Sequence, residues 1–289
     1  MFKIGIESYS YHRYFGELRA GESSVDKKIT MIEFLDIVSA YKPSSVGLQT
    51  CFVDFKDHSF VKELSSLLLE RDYSLVVSWG HPSGLELGRN KEANTDLLSK
   101  LSWAQELKAE HFRIVIDSPK LWNTEPSKET IKRVMPMLSN IVKVANENQL
   151  TVSVENHGGL KMEVYYEILK SFDNSFFGMT FDIGNFIRTG EKIEDALKLL
   201  GDYIKVVHIK DFVLDGLKPG EPDGWWPTVA LGEGDLPLEN ALLSLNKLKF
   251  EGPVLVELMA PLNNDEPESE TIEKSLYFLN EQQTLHQLE

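Results

Sequence analysis

The chain has almost no cysteine. Cys51 stands alone among 289 residues, so no internal disulfide can form and the fold must rest on its core. A reducing setting, the cytoplasm, is therefore expected. Long apolar runs are also missing. Nothing approaches the roughly 20 apolar residues a membrane-spanning helix needs, and Met1-Phe-Lys-Ile-Gly-Ile-Glu-Ser8 carries no secretion-signal stretch, so no membrane partner is expected. Basic residues are scarce: 30 Lys and Arg stand against 45 Asp and Glu, a net charge of −15. Such an excess of acid opposes binding to phosphate backbones, so nucleic acid is not expected as a partner. No low-complexity tract or inter-domain linker appears. The first apolar segment ends in Ile6-Glu7-Ser8-Tyr9 rather than a glycine-rich turn, which counts against an open dinucleotide-binding sheet.

What is present is alternation. With 42% apolar and 26% charged residues, the composition is that of a globular protein. Short β-rich runs lie near 3–7, 45–50, 73–79, 112–116, 150–155, 177–182, 204–210 and 253–258. Amphipathic stretches separate them: Lys28–Tyr41, Phe60–Arg71, Thr95–Lys108, Thr130–Asn148, Val164–Phe172, Ile193–Leu200 and Leu238–Leu248, with Thr271–Gln283 last. In the sixth of these, apolar residues recur at 193, 196, 197 and 200, the helical period. Eight strand–helix units in one α/β chain predict a (β/α)8 TIM barrel, a single domain over residues 1–289.

Four of the strands close on a side chain that an apolar strand end does not tolerate uncompensated: Glu155, Asp182, His208 and Glu257. The first three follow one another at 27 and 26 residues, one strand–helix unit each; the last step is 49, so that unit carries an insertion, rich in Gly, Pro and Trp, within 212–236. A solvated excursion tacked down by tryptophans is the plain reading of that insertion; a functional loop is the other. Barrel strands aim their C-terminal ends at one mouth. Three carboxylates and an imidazole meeting there could hold one divalent ion. Oxygen donors favour Mn2+, Co2+ or Mg2+, with Zn2+ also compatible. Each residue has an ordinary alternative: Asp182 before Ile-Gly reads as a turn former or helix cap, and His208 as a structural histidine. The metal reading requires the four to converge. Scattering, or neutralisation by arginine and lysine partners instead of convergence on an ion, would overturn it.

Val154-Glu-Asn-His-Gly-Gly159, Phe181-Asp-Ile-Gly-Asn185, Val207-His-Ile-Lys-Asp211, Leu231-Gly-Glu-Gly-Asp235 and Val256-Glu-Leu258 together resemble the xylose isomerase-like barrel superfamily, in particular its sugar (phosphate) isomerase/epimerase group. The resemblance covers essentially the whole chain and is strongest from residue 150 onward. It implies that Glu155, Asp182, His208 and Glu257 bind one divalent metal, and that Glu155 and Glu257 double as acid and base on opposite faces of a sugar or keto-sugar. The implied chemistry is proton abstraction α to a carbonyl through a metal-stabilised enediolate. Homo-oligomers are common among such barrels, and the same expectation attaches here.

Departures from the group carry information. Its ketohexose 3-epimerases have a histidine three residues after the metal aspartate, where this chain has Asn185, and an arginine six residues after the metal histidine, where it has Leu214. Lys210, two residues after His208 and on the same strand face, is instead a candidate catalytic or substrate-holding group. The His-x-Lys-Asp segment resembles inosose dehydratase-like relatives, so a dehydratase or lyase acting on a keto-cyclitol or 3-keto-sugar is the alternative reading. A non-catalytic sugar-binding barrel is a third. A metal-dependent apurinic-site endonuclease would need further His and Asp ligands that the sequence lacks. The acidic Gly232-Glu-Gly-Asp235 turn favours an uncharged sugar or polyol over a phosphate. His81, His157, Asn185 and Trp225 are candidate substrate contacts, with His157 alternatively orienting Glu155. Glu7, Tyr9, His12, Gln49, Asn156, Trp122 and Trp226 are further candidates around the mouth.

Overall fold

A computed structural model describes residues 1–19, 21–81, 83–117, 127–172, 175–220, 226–259 and 267–285. Eight strands form a closed parallel barrel in chain order: β1 (Lys3–Glu7), β2 (Ser45–Gln49), β3 (Ser74–Ser78), β4 (His111–Ile114), β5 (Thr151–Glu155), β6 (Phe177–Asp182), β7 (Ile204–Ile209) and β8 (Pro253–Val256). Helices wrap it: α1 (His12–Phe15), α2 (Met31–Ser39), α3 (His58–Glu70), α4 (Lys91–Glu106), α5 (Ser127–Glu147), α6 (Met162–Leu169), α7 (Ile183–Arg188), α8 (Ile193–Leu200), α9 (Leu238–Lys247) and α10 (Glu268–Leu285). Every residue of β2, β3 and β6 is buried, as parallel strands are when helices cover one face and the barrel interior fills the other. Among the described residues no helix is long and apolar enough to cross a membrane.

The helices start where the sequence supplies caps. Thr30 and Glu33 form a reciprocal capping box ahead of α2, and Asp57 and Asn90 accept from the first free amides of α3 and α4. In α8 the buried residues are Ile193, Ala196, Leu197 and Leu200, the expected stripe. α7 and α1 were not anticipated. Six and four residues are too few to display a period.

Inside the barrel, Val76, Val206 and Leu255 pack together, apart from the main core. Each lies two residues before Ser78, His208 or Glu257, so side chains of one strand face build an apolar floor with a polar layer directly above it. A glycine makes the polar layer fit: a Cβ on Gly47 would lie 1.9 Å from Glu7 Oε2.

Candidate metal centre and active site

The four strand-end residues meet. One donor atom from each of Glu155, Asp182, His208 and Glu257 lies within 4.8 Å of the others, and all four are buried. Register explains the convergence. Asp182 and His208 are direct partners on β6 and β7, and Glu257 follows β8 with its amide donating to the Ile209 carbonyl at 3.0 Å. His208 Nδ1 faces inward, 3.2 Å from Glu155 Oε1 and 3.6 Å from Glu257 Oε1. Its Nε2 turns to Glu7 Oε2 at 3.8 Å, and Glu7 accepts from the Ser8 and Ser78 hydroxyls at 3.2 and 3.0 Å.

Cations also reach the cluster, and arginine or lysine neutralisation is the outcome that weighs against a metal site. Arg113 Nε lies 3.0 Å from Glu155 Oε2. Lys210 Nζ lies 2.8 Å from Asp182 Oδ2 and bonds Glu257 Oε2. They engage the outer oxygens of the two glutamates and leave Oε1 of each beside the imidazole; only at Asp182 does Lys210 take the oxygen that faces the cluster. Asp182 Oδ1 is used elsewhere, capping α7 through the Asn185 amide at 2.9 Å. The ordinary reading of this residue as a helix cap is therefore correct for one oxygen and incomplete for the other. Glu155 Oε2, Asp182 Oδ2 and His208 Nε2 are buried without a well-formed hydrogen bond. Arg113 and Lys210 neutralise Glu155 Oε2 and Asp182 Oδ2; the fit to a divalent cation rests instead on three carboxylates and an imidazole offering donor atoms this close together.

The electrostatics follow from burial and pairing. Burial opposes ionisation of Glu155, but Arg113 and His208 outweigh it and hold the carboxyl well below the usual range. Burial likewise opposes Glu257, and Lys210 and His208 pull it below its ordinary value. Asp182 is pushed up to about 6 by burial against the pull of Lys210. Burial disfavours the charged forms of His208 and Lys210, yet surrounding carboxylates raise both. Glu7, fully buried, is raised by burial.

The cluster opens onto a cavity of about 400 Å3 whose lining includes Lys210, Glu257, His81, His157 and Asn185, a volume that suits a small polar ligand. His81 stacks on Trp79 at 5.3 Å between ring centroids. His157 lies in the wall with its Nδ1 unpartnered, and burial lowers its pKa to about 4, so the ring is neutral. No bond joins it to Glu155 among the described residues, so the orienting role weighed for it is not seen. Asn156 makes a two-way bridge with the Asp182 backbone, both bonds 2.8 Å, and so ties β5 to β6. Tyr9 and Gln49 line the cavity. His12 does not: it is buried between the Tyr9 carbonyl and Glu22. Trp226 packs edge-on against Phe212, which makes it a core contact. Trp225 and Trp122 lie outside the described residues. The described part of the insertion after β7 is pinned by Asp211, whose carboxylate accepts from the amides of Phe212, Gly232, Gly234 and Leu236.

The lining residues not singled out from sequence include the charged side chains Glu17, Arg19, Arg113, Asp117 and Arg188. Asp117 was findable, because it closes the apolar run Ile114-Val-Ile116 just as Glu155 closes its own strand. Arg113 sits mid-strand, where its buried charge was the only signal.

Comparison with known proteins agrees with this architecture. The chain is 25% identical over 183 residues to an inosose isomerase of Bacillus licheniformis, covering 60% of this chain and 64% of that one. In general it spans about half the length of the curated relatives it matches. A crystal structure of IOLI protein with a bound zinc atom superposes with a TM-score of 0.77 at 18% identity, covering 97% of this chain and 98% of that one. The structure of an L-ribulose 3-epimerase does so with 0.76 at 12% identity, covering 99% and 96%. Residues 45–282 match the family described as xylose isomerase-like TIM barrel, and the chain belongs to that family.

Proposed function

We propose that this chain is a divalent-metal-dependent isomerase or epimerase of a sugar or keto-sugar, working by proton transfer at the carbon α to a carbonyl. The observation that carries the reading is that two glutamates at the ends of different strands, Glu155 and Glu257, converge on one imidazole nitrogen, with Oε1 of each 3.2 and 3.6 Å from His208 Nδ1. Glu155, Asp182, His208 and Glu257 would hold the ion, which when bound stabilises negative charge developing on the substrate carbonyl oxygen. One glutamate takes the α proton, and the other returns a proton to the opposite face or the neighbouring carbon. Arg113 and Lys210 keep the two carboxylates ionised and oriented. Asn185 and His81 line the pocket and contact hydroxyls. The apolar floor and the surrounding helices exclude bulk water from beneath the reacting carbon. Relatives named for an inosose and for L-ribulose 5-phosphate support a small sugar or polyol as the substrate; the acidic Gly232-Glu-Gly-Asp235 turn favours an uncharged one, and a cytoplasmic setting is part of the proposal.

A specific observation favours a second reading. Lys210 is buried, bonds Glu257 and contacts Asp182, so an ammonium stands beside a proposed base. After α-proton removal by Glu257, Lys210 could protonate a departing β-hydroxyl, turning the same first step into a dehydration.

Solvent-deuterium wash-in tests both. The Mn2+-loaded protein is incubated in D2O with a panel of ketoses, keto-glycosides and inososes. Deuterium entering α to a carbonyl with the skeleton intact is the isomerase result. Deuterium entry with loss of water is the dehydratase result. Glu257→Gln should abolish either, by roughly 10^3-fold or more for a group acting as acid or base. No exchange with any substrate contradicts both and favours a binding protein.

A further inference from the structure

Past the end of β4, the cavity holds a carboxyl the proposed chemistry does not use. Asp117, three residues past β4, is only 2% exposed and lines the cavity. Its two oxygens are treated unequally. Oδ2 accepts from the Gly158 amide at 2.8 Å and from the Tyr165 hydroxyl at 2.9 Å, whereas Oδ1 has no hydrogen-bond partner among the described residues. The neighbourhood is shaped around the group: a Cβ on Gly158 would lie 2.6 Å from Asp117 Cγ and Oδ2. Beside Gly158, His157 presents a second buried unpartnered atom, Nδ1. A buried polar atom left without a partner is costly unless a ligand satisfies it.

From these contacts we infer that Asp117, positioned by Tyr165 and Gly158, is a specificity-determining residue that receives a substrate hydroxyl on Oδ1, with His157 beside it. The inference deepens the functional reading above and rests on it for the reacting end of the molecule. Charge selects the ligand chemistry. A cationic group is opposed by Arg19, Arg113, Arg188 and Lys210 in the same cavity, and an anionic group by Glu17, Glu257 and Asp117 itself. A neutral hydroxyl meets neither objection. It also donates and accepts, so it pairs with a carboxylate or with a carboxylic acid, and with either tautomer of a neutral imidazole. The substrate is therefore expected to carry a free hydroxyl distal to the carbon whose proton Glu155 or Glu257 moves.

Direct binding tests this without any turnover. Xylitol and myo-inositol are titrated calorimetrically into the Mn2+-loaded protein and into metal-free protein, and both are soaked into wild-type crystals. The expected result is binding of at least one polyol, with a hydroxyl within hydrogen-bond distance of Asp117 Oδ1. Asp117→Ala should weaken it on the order of 10- to 100-fold, the loss typical of a buried charged partner, and Tyr165→Phe several-fold. Failure of both polyols to bind wild type, or a bound polyol that leaves Asp117 Oδ1 untouched, overturns the inference. So does a folded Asp117→Ala that binds as tightly as wild type. Should Asp117→Ala not fold, the wild-type crystals decide alone. Because binding is read without chemistry, absent deuterium exchange with intact polyol binding would sink the isomerase reading and spare this subsite.

Discussion

Lys210 Nζ lies 2.8 Å from Asp182 Oδ2, so an ammonium holds the oxygen that the proposed metal would need. An ammonium and a dication would compete for that oxygen, because both cannot sit at bonding distance from it without strong mutual repulsion. Lys210 must then withdraw from Asp182 when an ion is bound, on the side where the Met259 sulfur lies 3.8 Å from it.

Removing the lysine therefore shifts neutralisation onto the metal. Lys210→Met leaves Asp182 and Glu257 buried without their cation. In metal-free protein this should cost about 3 kcal/mol, the usual penalty for breaking a buried pair by deleting one partner. Mn2+ should restore most of the loss. Thermal unfolding with and without Mn2+ checks this; equal Tm values for variant and wild type after metal stripping would contradict the competition.

Gly47→Ala tests the fit of the Glu7 carboxyl. The added Cβ would lie 1.9 Å from Glu7 Oε2, so Glu7 must move off its Ser78 bond and away from His208. A destabilisation of roughly 1–3 kcal/mol is expected for overpacking. Glu7→Ala in the same chain should relieve part of it. Urea unfolding of the two single variants and the double measures the coupling, and strict additivity would show that Gly47 is not there to seat Glu7.

The pH dependence of stability has a sign that can be worked out for Asp117. Burial raises its folded-state pKa to about 6 from an ordinary 3.8, with the Tyr165 and Gly158 bonds opposing. Between these values the folded chain binds more protons than the unfolded one, so stability is fully present below about pH 4 and falls as pH rises through about 6. Asp117→Asn lacks this titration. The stability of wild type minus that of the variant should therefore drop by on the order of 2–3 kcal/mol between pH 4 and 7, measured by denaturant unfolding with EDTA present. A flat difference, or one rising with pH, would contradict it.

Much of this architecture was legible because periodicity and strand-end chemistry are local. β6 and α8 fall on the residues their patterns predict, 177–182 and 193–200. Glu155, Asp182, His208 and Glu257 stood out because charge at the end of an apolar strand needs a reason. What stayed hidden is set by tertiary geometry. That Arg113, in the middle of β4, would reach Glu155 depends on which face of the strand turns inward. That Asp182 would divide its oxygens between the α7 cap and the cluster depends on side-chain direction. That Lys210 would point across to Glu257 and Asp182 rather than to solvent depends on the path of the chain just past β7. His12 read as a mouth residue by its nearness to β1, but the short helix α1 turns it away toward Glu22.

The central claim is that these four side chains are ligands to one ion. Elemental analysis of the purified chain after incubation with Mn2+ and removal of free metal should give close to one divalent ion per chain, and Asp182→Asn with Glu257→Gln should bring it close to zero while the far-ultraviolet spectrum stays that of the wild type. A wild-type chain that holds no ion under these conditions, or a double variant that holds as much as wild type, would contradict the account.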